Sequence, residues 1–207
     1  MTTIKTTSTY SFIKELLEKQ RHYIDFFFQQ IDVEKMEEIF HKLWQAKGWI
    51  IFTGIGKSGI IAQKVAMSFL STGTKALYMS STDLMHGDLG VFGSNDLFIC
   101  FSKSGNTEEL LRLLPYVKNK GATTIALVSN KQSRLYQSCD LAAYLPVTRE
   151  LCPFDLAPTT STEVQLLYGD LLAVAMMYKN KFSIQEFAKN HPAGGIGKRL
   201  LLKVEDL

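Results

Sequence analysis

Trp49-Ile50-Ile51-Phe52-Thr53-Gly54-Ile55-Gly56-Lys57-Ser58-Gly59 is the stretch that decides the fold. Four apolar or aromatic residues run into a glycine-rich corner, and an amphipathic segment at 60–70 follows at once, which predicts strand, tight turn, helix. Such a corner aims backbone N–H groups and a helix N-terminus at whatever sits above it, and an anion, most often a phosphate, is the natural guest. Working outward, the same alternation recurs. Strands are predicted at 75–79, 96–101, 123–128 and 141–145, and helices at 110–119, 160–179 and 183–190. Residues 96–101 (Asp-Leu-Phe-Ile-Cys-Phe) form a near-continuous apolar run, as a strand covered on both faces should. Strands alternating with helices imply parallel crossovers, hence an α/β fold: a three-layer α/β/α sandwich with a five-stranded parallel sheet. Residues 8–28 and 33–47 have helical spacing and place two N-terminal helices before the sheet. Ile24, Phe26, Phe27 and Phe28 exceed what one helix face can bury, which suggests packing against a second subunit.

With 207 residues and 46% hydrophobic content, the chain is read as one domain. Residues 1–47 form its N-terminal helices, and 48–207 its sheet core and C-terminal active-site tail. The formal charge of +3, from 23 basic and 20 acidic residues spread along the chain, argues against a nucleic-acid partner or a polybasic membrane patch. Cys100, Cys139 and Cys152 are odd in number and lack C-x-x-C spacing, so neither a disulfide framework nor a structural zinc site is expected. The first dozen residues lack the apolar core of a signal peptide, and the longest apolar run, 171–178, falls short of the roughly 20 residues that span a bilayer. A soluble, cytoplasmic protein is the expectation.

The corner Gly54-x-Gly56-x-x-Gly59 satisfies the dinucleotide fingerprint. The acid expected about 20 residues onward falls near Met79 and is absent, and Asp83 lies beyond the strand. A P-loop would need glycine at position 51, where Ile51 stands. Both nucleotide readings therefore weaken. Ser102-x-Ser104-Gly105-x-Thr107 sets three hydroxyls around a glycine ahead of a helix, which suits a phosphate dianion. Simple capping, with Asn106 as cap and Glu109 as its partner, is the competing explanation. Both loops follow strands directly and open onto the carboxyl edge, where ligands of such sheets lie.

Lys57 stands above that edge. His86, in His-Gly-Asp, either braces a turn or meets a ligand. Pro192 disfavours helical geometry at His191, and two following glycines allow close backbone approach. Residues 147–160 form a long connection carrying Leu151, Phe154 and Leu156, which reads as a packed functional loop. Glu150 sits in it beside Arg149, where a surface ion pair is the ordinary explanation. Thr160 and Glu163 have capping-box spacing at the start of the next helix.

Gly56-Lys57-Ser58-Gly59, His86-Gly87-Asp88-Leu89-Gly90, Ser104-Gly105-x-x-x-Glu109, Ala157-Pro158-Thr159-x-Ser161-Thr162, Gly169-Asp170 and His191-Pro192-x-Gly194-Gly195 together resemble the sugar isomerase (SIS) domain of arabinose 5-phosphate isomerases. The match runs from about residue 49 to 204. The resemblance implies a flavodoxin-like sheet and a homo-tetramer. It implies interconversion of D-ribulose 5-phosphate and D-arabinose 5-phosphate through an enediol, without cofactor or metal, for the synthesis of the lipopolysaccharide sugar Kdo. Carried over residue by residue, the catalytic set falls on Lys57, Glu109, Glu150 and His191. Glu109 or Glu150 then removes the carbon-bound proton, His191 moves protons between oxygens or opens the ring, and Lys57 stabilises the enediolate.

Substrate-binding positions fall on Gly56, Ser58, Gly73, Thr74, His86, Ser102, Ser104, Thr107 and Thr148. Gly73-Thr74 precedes a strand, at the wrong end of its own sheet, and could reach a site only through a neighbouring subunit. Two departures matter. Many members continue into paired CBS domains where this chain stops, at Val204-Glu205-Asp206-Leu207, as a short form or a cut chain. Some carry a metal-ligating histidine where Ser80 stands, which makes an intrinsic metal site less expected. The alternatives are a non-catalytic regulatory module that binds a phosphosugar, and an isomerase of another phosphosugar such as a heptose or hexulose phosphate.

Overall fold

A computed structural model describes residues 9–192 and residue 195. Expectations placed on Ser8, Gly194 and residues 196–207 lie outside the described residues. Two helices open the chain, α1 (Thr9–Gln30) and α2 (Val33–Gln45). The Asp32 carboxylate caps α2, accepting the Lys35 N–H at 2.8 Å. Then follow β1 (Ile50–Gly54), α3 (Lys57–Ser71), β2 (Ala76–Tyr78), α4 (Ser81–Met85), a 3₁₀ turn (Asp88–Val91), β3 (Leu97–Ser102) and α5 (Glu108–Asn119). The order continues with β4 (Thr123–Val128), α6 (Arg134–Ser138), β5 (Leu141–Tyr144), α7 (Thr160–Lys179) and α8 (Ile184–Asn190).

The five strands pair in parallel in the order β2-β1-β3-β4-β5. This is the flavodoxin-like arrangement, and its strand order reverses between β1 and β3. Gly54 is in register with Phe101 there, so the glycine corner and the hydroxyl loop leave the sheet side by side. Successive side chains alternate between two apolar layers. Ile50, Phe52, Leu97, Ile99 and Phe101 pack with Phe27, Ile39, Val65, Phe69 and Tyr168 from α1, α2, α3 and α7. Ile51, Phe98 and Cys100 pack with Leu84, Leu110, Leu113 and Leu135 from α4, α5 and α6. Burial on both sides explains why the strands read as unbroken apolar runs.

At the corner, α3 sits directly on β1. A Cβ on Gly59 would stand 2.6 Å from the Gly54 carbonyl oxygen, and backbone cannot rotate away as a side chain can. Gly59→Ala is therefore expected to lower stability by about 1–3 kcal/mol, the usual cost of forcing atoms into a packed interior. A lower urea midpoint at unchanged slope checks it.

The five strands and the long helices lie where periodicity puts them. The five-residue helices α4 and α6 and the 3₁₀ turn were not predicted, because one turn shows no period. Two expected caps are absent. Helix α5 has Thr107, not Asn106, at its N-cap and makes no side-chain cap bond there. Helix α7 has Thr159 at its N-cap, which puts Thr160 inside the helix and breaks the proposed box with Glu163. What caps α7 comes from elsewhere in the chain.

Candidate functional site

Three connections converge at the carboxyl edge: residues 55–56 after β1, 103–107 after β3 and 145–159 after β5. The hydroxyl loop is internally bonded. Ser102 Oγ and Thr107 Oγ1 lie 2.8 Å apart, Gly105 N–H donates to Ser102 Oγ at 3.0 Å, and Asn106 N–H donates to Ser104 Oγ at 3.2 Å. Helix α6 braces it from outside. The Leu135 N–H donates to the Gly105 carbonyl at 2.9 Å and the Arg134 N–H to Asn106 Oδ1 at 3.0 Å, while the Arg134 guanidinium pairs with Glu108 at 2.6 Å. Gly105 has φ +64°, and a Cβ there would run into Ser133, so the turn requires glycine. With no side-chain cap on α5, the first amides of that helix face the loop without a fixed acceptor. The Glu108 charge, which would oppose an anion there, is offset by Arg134.

Glu150 is 1% exposed and thoroughly engaged. Its Oε2 accepts the N–H groups of Thr159 at 2.8 Å and Ser161 at 3.1 Å, together with the Thr159 hydroxyl at 3.2 Å. This carboxylate is the cap of α7, supplied by a residue ahead of the helix and favoured by the helix dipole. Its Oε1 faces the Lys103 ammonium at 2.8 Å, out of line for a hydrogen bond. Burial works to raise the Glu150 pKa, but Lys103 and the Thr159 and Ser161 donors outweigh it and hold the group at about 2. The expected partner Arg149 is not the one used; Lys103 is.

Lys57 is the exposed first residue of α3, and Gly56 before it has φ +58°. Glu109 is exposed in the first turn of α5. His86 ends α4 and is exposed, and α4 packs on α5. Thr148 is exposed two residues before Glu150. All of these follow carboxyl ends of strands and share the edge. Ser80 caps α4 through the Asp83 N–H at 3.5 Å. Among the described residues no group of three His, Cys, Asp or Glu side chains is placed to hold a metal ion, and no helix is long and apolar enough to cross a membrane.

His191 is elsewhere. It ends α8, and the adjacent Asn190 side chain donates to the Ser71 carbonyl at 3.1 Å, at the far end of α3 from Lys57. At about 1.5 Å per residue, α3 separates the two by roughly 20 Å. Gly73 and Thr74 lie at that same amino end of the sheet, just ahead of β2. The His191 ring stacks on Phe187 at 4.0 Å, with Nδ1 2.8 Å from the Phe187 carbonyl. A carbonyl only accepts, so Nδ1 carries the proton and Nε2 is the acceptor of the neutral ring. The candidate residues of one chain thus fall into two groups at opposite edges of the sheet. Lys103 was missed in the sequence because its partner is remote and nothing local marks the pair.

The family model described as SIS domain matches residues 42–175. A relative named arabinose 5-phosphate isomerase KpsF, from Escherichia coli O6:H1, is 37% identical over 195 residues, covering 94% of this chain and 60% of its own. One named arabinose 5-phosphate isomerase KdsD, from Francisella tularensis, is 41% identical over 193 residues, 93% of this chain and 58% of its own. The chain thus spans about 60% of the length of these curated relatives. Among solved structures, an Escherichia coli CFT073 protein in complex with arabinose 5-phosphate superposes with a TM-score of 0.85 at 34% identity, covering 91% of this chain and all of that one.

Proposed function

This chain belongs to the SIS domain family, and from that premise we propose that it is an aldose–ketose isomerase interconverting D-ribulose 5-phosphate and D-arabinose 5-phosphate. The observation that carries the reading is the match to a chain solved with arabinose 5-phosphate, which this sequence covers from end to end. Names of the curated relatives support the same substrate pair. Synthesis of Kdo is the use the resemblance implies for the product.

In this mechanism a proton leaves C1 of the ketose to give the 1,2-enediol and is returned at C2, while a proton passes from O1 to O2. The hydroxyls of Ser102, Ser104 and Thr107, with the first amides of α5, bind the phosphate. That contact, remote from the reacting carbons, orients them. Lys57 stabilises the enediolate charge. Glu109 takes the carbon-bound proton, since its carboxylate is exposed at the edge while Glu150 is locked into a cap and an ion pair. A carboxylate held near pKa 2 is a weak proton acceptor at neutral pH. His191 Nε2 serves the oxygens, and it comes from a second copy of the chain, as does Gly73-Thr74.

Exposed apolar residues on α3 (Ile60, Met67, Leu70) and α7 (Leu171, Val174, Tyr178) support assembly. Further uncovered apolar groups on α1, Leu17 and Phe28 among them, suit the proposed homo-tetramer.

The test is incubation with ribulose 5-phosphate in deuterium oxide, without added cofactor or metal, with chromatographic identification of products. Arabinose 5-phosphate carrying deuterium at C2 is expected. Glu109→Gln should slow its formation by about 10²–10⁴-fold, the usual contribution of an acid–base group. Binding without turnover would instead favour a regulatory module.

A further inference from the structure

Lys103 lies in the middle of the hydroxyl loop, yet the isomerase mechanism above gives it no task. The hydroxyls of its neighbours Ser102 and Ser104 bond within the loop. The Lys103 ammonium instead reaches Glu150 Oε1 at 2.8 Å in the connection after β5, with side-chain exposures of 38% for the lysine and 0% for the glutamate. Lys103 is also fixed through its backbone, where its carbonyl accepts the Ser129 N–H at 3.0 Å just beyond β4. One residue therefore ties together the chain segments that leave β3, β4 and β5.

Glu150 depends on it. Its Oε2 is satisfied by Thr159 and Ser161, but Oε1 has no hydrogen-bond partner among the described residues and only the Lys103 charge beside it. The other charges nearby do not replace that ammonium. Asp155 Oδ1 accepts the Glu150 N–H at 2.6 Å and is itself acidic, Arg149 is exposed, and the amide and hydroxyl donors at the start of α7 carry no charge. Removing one partner from a buried pair leaves a charge with nothing to offset it.

The geometry points to Lys103 as a positioning residue that acts through Glu150. Their ion pair clamps the loop carrying Ser102, Ser104 and Thr107, and with it the start of α5 and Glu109, to the N-terminal end of α7. It thereby fixes how far the phosphate end of the site stands from the segment carrying Thr148 and Glu150. The inference rests on the isomerase reading for its kinetic consequence, and on the contacts alone for its effect on Glu150.

The experiment compares wild type, Lys103→Met, Lys103→Arg, Glu150→Gln and the Lys103→Met/Glu150→Gln double variant as full chains. Isomerisation of ribulose 5-phosphate gives kcat and KM, and ¹³C-carboxyl NMR follows the Glu150 titration. Lys103→Met should lower kcat by about 10–100-fold, the scale of a small misplacement of reacting groups, with KM nearly unchanged because α6 still braces the hydroxyl loop. Its Glu150 should titrate at higher pH than in wild type. Lys103→Arg should restore both, and the double variant should be no slower than Glu150→Gln alone.

A Glu150 titration identical in Lys103→Met and wild type would overturn the proposal, as would losses that multiply in the double variant. If wild type turns over no ribulose 5-phosphate, the isomerase reading fails. The Glu150 titration still decides the clamp.

Discussion

Glu150→Gln is expected to lower the stability of the fold by on the order of 3 kcal/mol at neutral pH, the equivalent of holding a carboxyl at about 2 rather than 4.5. The amide keeps the volume of the side chain but not its charge, so α7 loses an anionic cap and Lys103 its partner. The penalty stays moderate because Lys103, at 38% exposure, can rehydrate once released.

The pH dependence follows from the direction of the shift. Glu150 has a lowered pKa in the folded state, so its contribution is present in full above about pH 4.5 and is lost as pH falls through about 2. Urea unfolding of the two proteins should therefore show a wide gap at pH 7, a narrower one at pH 3 and almost none below pH 2. A gap that stays constant across this range would mean that packing, and not charge, is what the substitution removes.

The layered sheet was legible because both signals that encode it are local. Residues 50–52 and 97–101 are apolar without interruption since both faces of their strands are covered, while Gly54 and Gly59 mark a close backbone approach and Gly56 a positive φ. Convergence of the glycine corner and the hydroxyl loop followed from strand polarity alone.

The wiring between loops was not legible. Glu150 adjoins Arg149 in sequence, but neighbours on extended backbone point apart, and the carboxylate turns inward to a lysine from another loop. Asn106 and Thr160 are sound local cap candidates that lost to tertiary context, α7 being capped by Glu150. His191 was marked by Pro192 and the glycines around 194, which describe its backbone and say nothing of where α8 docks. That is set by contacts such as Asn190 with Ser71, at the opposite end of α3 from Lys57.

This separation makes the sharpest demand on the proposed mechanism. If Lys57 of one copy works with His191 of another, Lys57→Ala and His191→Ala should each lose about 10²–10⁴-fold in turnover when pure. Mixed and allowed to exchange subunits, they should recover activity. In each mixed pair one site carries both lesions, and the other joins an intact Lys57 to an intact His191. For random exchange of equal amounts, roughly a quarter of all sites are whole, so activity should approach a quarter of the wild-type value. Recovery must require exchange: cross-linking each variant before mixing should abolish it. If both residues served the same site from the same chain, every site in the mixture would carry a lesion and no recovery would occur. Mixing Lys57→Ala with Glu109→Gln supplies the internal control. Both residues belong to the carboxyl edge of one chain, on either side of the β1–β3 switch point, so that mixture should stay as slow as its better component.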